Sequence, residues 1–251
     1  MPAKNSSLYG SSILSRYSKK GDLINYLNDL HIALSELSQE IGDRPKGLKS
    51  TAAQLVSPKL LSHNDKDVRI LTTCCIVDVL RVFAPESPYN NEDTLSAFQA
   101  ITNQLRGLAT YDSVAGIASS KVYYILNSIS TVQSCVVPVI LGQTGVHGAE
   151  EMVVSMFEAI FASVRQEHPE EVLAHAGSVL QACIEESDTV SEELLEILLL
   201  PLLPHSKGDH PTAYQLASSV LRRVWQNIQA PVTTILNQVL VGTSRDTSVR
   251  S

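Results

Sequence analysis

The chain has 251 residues, of which 44% are apolar, 18% charged and 5% aromatic, with a formal net charge of −7. A chain this long buries roughly three quarters of its unfolded surface, so it needs neither disulfides nor a metal to hold it together, and its apolar content is too high for disorder to dominate. The longest apolar run, residues 197–203, is broken by Pro201 and falls well short of the roughly 20 residues of a membrane span; no basic segment followed by an apolar stretch opens the sequence as a secretory signal would.

Helical periodicity runs almost from end to end, and strand-like alternation is nearly absent. A polar segment, residues 1–20, comes first. Leu23, Leu27, Leu30, Leu34, Leu37 and Ile41 then recur at intervals of three or four, and Pro45 and Gly47 punctuate. Residues 48–62 read as a helix interrupted or kinked at Pro58, and residues 65–83 as the next. After a loop at 84–90, Leu95, Phe98, Ile101, Leu105 and Leu108 mark a helix. Val122, Leu126, Ile129, Val132 and Val136 mark another, expected to end near Pro138.

The glycine-rich segment 142–148 reads as a loop, and Met152, Met156, Phe157, Ile160 and Val164 define a helix stopped before Pro169. Pro169 and Pro211 suit the first helical position, where a missing N–H costs nothing. Thr189-Val190-Ser191-Glu192 has capping-box spacing ahead of a leucine-rich helix over 194–203. The last strong helix carries Tyr214, Ala217, Leu221, Val224, Trp225 and Ile228. Pro231 is expected to open a further helix without a hairpin partner, as in a truncated solenoid.

Pairing these helices gives units of about 40 to 60 residues beginning near Leu48, Glu92, Glu150 and Ser191, the period of helical repeats. The fold class expected is all-α, an α-solenoid of HEAT/armadillo-type hairpins forming a single segment over 21–251, in which each hairpin buries its apolar face by stacking on its neighbours. One unit shows HEAT-type spacing directly: Leu60-Leu61, then Asp65, then Val68-Arg69, then Cys75 and Val79-Leu80. Asp65 and Arg69 are expected to join a charge ladder between repeats.

Charge is unevenly spread. Residues 1–81 carry 11 Lys/Arg against 8 Asp/Glu, a balance of +3, and the remainder carries 8 against 18, or −10. Between Glu150 and Glu196 stand 12 acids and one base, Arg165. Such a stretch repels a nucleic-acid backbone, so direct nucleic-acid binding is not expected. The pairs Glu150-Glu151, Glu170-Glu171 and Glu192-Glu193 fall where helix N-termini favour negative charge. Glu185, Glu186 and Asp188 fall near a helix C-terminus, where acid is mildly unfavourable, and read either as solvated surface or as a contact for a basic partner.

No catalytic constellation emerges. Gly142-Gln143-Thr144-Gly145-Val146-His147-Gly148 lacks the Gly-Lys-[Ser/Thr] ending and the preceding strand of a phosphate loop. His168 and His175 lie two helical turns apart, whereas chelating pairs sit one turn apart, so capping and surface roles are expected. Cys74, Cys75, Cys135 and Cys183 lie among apolar residues with no Cys-x-x-Cys, which reads as reduced, buried thiols of an intracellular protein. No cofactor, metal or enzyme activity is expected.

One loop stands out: Ala84-Pro85-Glu86-Ser87-Pro88-Tyr89. Pro85 ends the preceding helix, and two prolines three apart make a stiff segment. Tyr89 offers an interface-type aromatic anchor, and Asp78 and Arg81, one turn earlier, form a polar stripe with Cys74. Two readings stay open: a docking knuckle for a short peptide, with Asp78, Arg81 and residues 84–89 as its surface, or a plain helix terminator with Tyr89 tucked against the next hairpin.

The run KLLSHNDKDVRILTTCCIVDVLRVFAPESPY, residues 59–89, resembles the N-terminal signature of the Pds (precocious dissociation of sisters) family of cohesin regulators. The shared core is His-x-x-x-Asp-Val-Arg, then Cys-x-x-Asp-[Ile/Val]-Leu-Arg, then Ala-Pro-[Asp/Glu]-Ala-Pro-Tyr. This sequence departs from it at Ser87, where alanine is usual, and at Glu86, where aspartate is common. Weaker similarity extends over residues 45–240. The resemblance implies a non-catalytic, nuclear, chromatin-associated scaffold that docks on the cohesin complex and controls sister-chromatid cohesion. It also implies that the segment matching residues 84–89 binds short motifs of partners such as the wings-apart-like release factor, and that the kleisin docks further along the spine. The rival expectation is a generic scaffold in transport or trafficking that uses its acidic surface.

Overall fold

The structure is a computed structural model that describes residues 8–10, 12–13, 17, 19–40, 42, 44–110 and 117–248; the side chains of 117–120 and 235–248 are outside that description. Among the described residues every regular element is helical. In chain order these are α1 (Lys20–Ser35), α2 (Leu48–Leu55), α3 (Pro58–Leu61), α4 (Lys66–Phe83), α5 (Asn91–Leu105), α6 (Ile117–Thr131), α7 (Val137–Gln143), α8 (Ala149–Ser163), α9 (Glu170–Glu186), α10 (Glu192–Leu199), α11 (Ser206–Asp209) and α12 (Pro211–Ser248). Short 3₁₀ turns follow α5, α6 and α10.

The helices stack in two layers. In one, α1, α4, α6, α9 and α12 pack each on the next; in the other, α5 packs on α8 and α8 on α10, with α2 and α3 against α4 at the near end. Each hairpin, α2/α3 with α4, α5 with α6, α8 with α9 and α10 with α12, starts where the sequence period places it. This is the helical solenoid expected, with one apolar spine running through the described chain.

Local sequence explains most boundaries. Leu23, Tyr26, Leu27, Leu30, Ala33 and Leu34 bury one stripe of α1; Leu37 packs beyond its end, and Ile41 lies outside the described residues. α4 is buried on every face from Ile70 to Leu80 because it lies between α1 and α6. Its N-cap Asp65 accepts from the N–H groups of Asp67 (2.8 Å) and Val68 (3.4 Å). Gly47 caps α2 at φ 88°, and a Cβ there would meet the Gly10 backbone at 2.9 Å, so both conformation and proximity require glycine.

Several expectations are corrected. Asp65 pairs with Lys20 of α1, while Arg69 donates to the carbonyls of His63 and Asn64 in its own turn. The charge ladder between repeats therefore does not run through Arg69. Pro138 stands in the first turn of α7 instead of ending α6, because the chain turns at Gln133 (φ 56°), and α7 continues through Gln143 into the segment read as a loop. Pro169 is the N-cap of α9 and not its first residue. Ser191, not Thr189, caps α10 by accepting from Leu194 N–H. Pro231 lies inside α12, which continues through it to Ser248. His168 is buried at 7% exposure, its Nδ1 accepting from Arg165 N–H and its Nε2 lying 2.8 Å from the Leu108 carbonyl, and so is no surface residue.

Among the described residues no single helix is long and apolar enough to cross a membrane. Residues 121–131 and 134–143 are apolar but bent by 76°, and Val122, Ile125, Leu126, Ile129 and Cys135 lie in the core. All four cysteines are free and buried. Burial is the leading cause that pushes the Cys74 thiol up to about 12 and Cys75 well above its ordinary value. Cys183 is likewise raised well above its ordinary value, first through its hydrogen bond with Cys135 and then through burial.

Candidate partner-docking site

The loop at residues 84–89 leaves the C-terminus of α4. Ala84 N–H closes that helix by bonding to the carbonyls of Leu80 (2.9 Å) and Arg81 (3.3 Å), and its extended ψ of 142° turns the chain outward. The Ala84–Pro85 peptide is cis. Pro85, Glu86 and Ser87 are exposed, Pro88 is half-buried and Asn90 caps α5 by accepting from Asp93 N–H. Ser87 Oγ accepts from Tyr89 N–H at 3.2 Å, so the hydroxyl that replaces the usual alanine is engaged within the turn.

Tyr89 itself is not an exposed anchor. Its ring lies in the core at 9% exposure, and its hydroxyl has no partner among the described residues. Burial raises its phenol above the ordinary range. The ring belongs to the apolar core cluster, where a large aromatic gains more by burial than by facing water. The anchor expected at the surface is thus a peg that pins the loop from below.

Asp78 and Arg81 also turn inward. Asp78 is completely buried and receives the Tyr124 hydroxyl from α6, while His31 Nδ1 of α1 lies 2.7 Å from its other oxygen. Tyr124 is raised above the ordinary tyrosine range first by burial and then by this bond. Arg81, half-buried, donates to the carbonyls of Leu34 (2.7 Å), Ser35 (3.2 Å) and Leu37 (2.9 Å), closing the end of α1. The polar stripe therefore faces α1 and α6 and does not lead out to solvent.

Two further residues, not singled out in the sequence, complete the base of the loop. Arg44 places its guanidinium 4.4 Å from the Phe83 ring centroid and donates to the Val82 carbonyl at 3.0 Å. Gln39 donates to the Arg81 carbonyl at 3.0 Å. Both come from the segment between α1 and α2, about 40 residues before the loop, and no local motif marks them. The result is an exposed Pro85-Glu86-Ser87 rim on a base fixed by Tyr89, Arg81, Arg44 and Gln39. Among the described residues no three His, Cys, Asp or Glu side chains gather as a metal set, and the rim offers no nucleophile–base pair.

Of the acids considered for a basic partner, Glu185 accepts from Gln181 at 2.8 Å and Glu186, though exposed, gives its carbonyl to Gln143 at 2.7 Å. Asp188 is exposed beside a cleft described below.

The family model described as sister chromatid cohesion protein PDS5 matches residues 21–251. The chain belongs to the PDS5 family. It is 30% identical over 223 residues to PDS5 homolog B-B of Xenopus laevis, covering 88% of this chain and 15% of that protein. To human PDS5 homolog B it is 35% identical over 191 residues, 76% of this chain and 13% of the relative. The chain thus spans about 15% of the length of the curated PDS5 proteins it matches. A chain in a solved structure described as the Pds5–Scc1 complex shares its fold with a TM-score of 0.68 at 23% identity, over 81% of this chain and 30% of that one.

Proposed function

We propose that this PDS5-family solenoid is a non-catalytic docking scaffold for the cohesin complex, acting in the nucleus on chromatin to control sister-chromatid cohesion. Its exposed corner at residues 84–89 receives a short motif from a partner such as the wings-apart-like release factor. The observation that carries this reading is the Pro85-Glu86-Ser87 rim, exposed yet held from below by a buried tyrosine and an arginine clasp. A segment already stiff before binding loses little conformational entropy when a peptide settles on it. Kleisin docking is placed further along the family's spine, largely outside this chain. PDS5 membership and the relatives' printed role in cohesion favour this over a transport scaffold.

Co-precipitation tests the reading. The wild-type chain is expected to recover the release factor from purified components, and Glu86→Arg with Ser87→Arg, two changes at exposed positions, is expected to abolish recovery while leaving the fold intact. Equal recovery by both proteins would overturn the assignment of the rim.

A further inference from the structure

Shape and charge coincide at a second place, away from the loop. α7, α8, the start of α10 and the connection at residues 187–191 enclose a cleft of about 460 Å³. Its floor is apolar, formed by Val139, Val153, Val154 and Leu194, each 4–8% exposed. Its rim carries Glu150 at the start of α8 and Asp188 after α9, and no lysine, arginine or histidine lines it.

Two features set its shape. Gly142 faces Glu150, where a Cβ would stand 3.2 Å from Glu150 Cγ, so the glycine lets the acid lie over the trough. Gln143 Nε2 donates to the Glu186 carbonyl and ties the end of α7 to the end of α9. On the two helices that line it, Glu151, Glu192 and Glu193 are also exposed in the first turns of α8 and α10. Arg165, the one base between residues 150 and 196, lies in a different cleft alongside Pro211.

An apolar floor beneath an anionic rim matches a side chain with a hydrocarbon stem and a cationic head. The same rim repels phosphate, nucleic acid and acidic peptides. We propose that this cleft docks an extended protein segment in which lysine or arginine alternates with aliphatic residues. The stem of the basic residue lies along Val153 and Val154, and its head sits between Glu150 and Asp188. The site goes beyond the corner at residues 84–89 and shares no residue with it, so either can fail alone.

The test is a titration followed by anisotropy, with a short fluorescein-tagged peptide alternating leucine and lysine as the probe, beside the same peptide with glutamine for lysine. The lysine peptide is expected to bind the chain about tenfold more tightly. Glu150→Gln with Asp188→Asn is expected to erase that difference, and Thr189→Arg, at an exposed rim position, to block binding by supplying the cation internally. Glu158→Gln with Glu167→Gln removes the same charge elsewhere on the surface and is expected to change nothing. Equal affinity for the two peptides, undiminished binding by the cleft variants, or an equal loss in the control pair would each overturn the proposal.

Discussion

The Tyr124 hydroxyl on α6 donates to the Asp78 carboxylate on α4, across 46 residues of sequence. With His31 at 2.7 Å on the other oxygen, this one carboxylate fastens three successive helices of the same layer. A buried carboxyl group is tolerable only when its oxygens are satisfied, and separating α1 or α6 from α4 breaks one of these two contacts. The base on which the loop at 84–89 stands is thereby rigid.

Asp78→Ala is expected to cost about 3 kcal/mol, because His31 and Tyr124 then lose a shared partner inside the stack. Tyr124→Phe, which removes one bond to a charged acceptor, is expected to cost about 2 kcal/mol. Urea unfolding followed by circular dichroism measures both. A loss below about 1 kcal/mol for Asp78→Ala would mean that the network contributes little.

Arg81→Ala is expected to fray the end of α1, where three carbonyls lose their donor. The stability loss is about 2 kcal/mol. Limited proteolysis reads it locally, as faster cleavage in the connection between α1 and α2. Unchanged cleavage there would show that Arg81 closes nothing.

How much of this was legible beforehand differs from residue to residue. Asp65 as a helix start and the order of hairpins follow from short-range patterns, since capping and apolar period are local properties. The burial of Tyr89 is not local. A proline-x-x-proline-tyrosine sequence states that the chain is stiff, but whether the ring faces water or the core is decided by tertiary packing, which here takes it into the core cluster. The partners of Asp78 and Arg81 lie more than 40 residues away, so their inward direction carries no sequence mark. Pro138 and Pro231 misled for another reason: proline is compatible with a helix start, and at Pro231 the helix nevertheless continues through it.

Gly47→Ala is expected to destabilise the chain by about 1–3 kcal/mol, through its positive φ and the close approach to Gly10. Gly145→Ala also meets a positive φ but has open space around its Cβ, and is expected to cost less. Thermal melts of the two variants provide the comparison, and a larger effect at Gly145 would contradict the contact assigned to Gly47.

The buried thiols give a pH dependence with a definite sign. Cys74 ionises at about 12 in the folded chain against 9.0 when exposed. Between those values the unfolded chain has released a proton that the folded chain retains, so stability falls as pH rises above about 9. The slope is roughly 1.4 kcal/mol per pH unit for each such group. Below pH 9 this group contributes no slope. Ellman's reagent at pH 8 is expected to leave the native chain unmodified and to titrate all four cysteines after denaturation. Fast labelling of the native chain would contradict the burial.

The rim itself is tested most directly by calorimetric titration of a short-motif peptide from the wings-apart-like release factor into the wild-type chain and into Glu86→Arg with Ser87→Arg. Tyr89→Ala is unsuitable alone, because a buried aromatic is expected to cost about 3–5 kcal/mol of stability and would confound affinity with folding. The account predicts at least a tenfold weaker affinity for the rim variant at an unchanged melting temperature. Full affinity retained by a folded rim variant would contradict it.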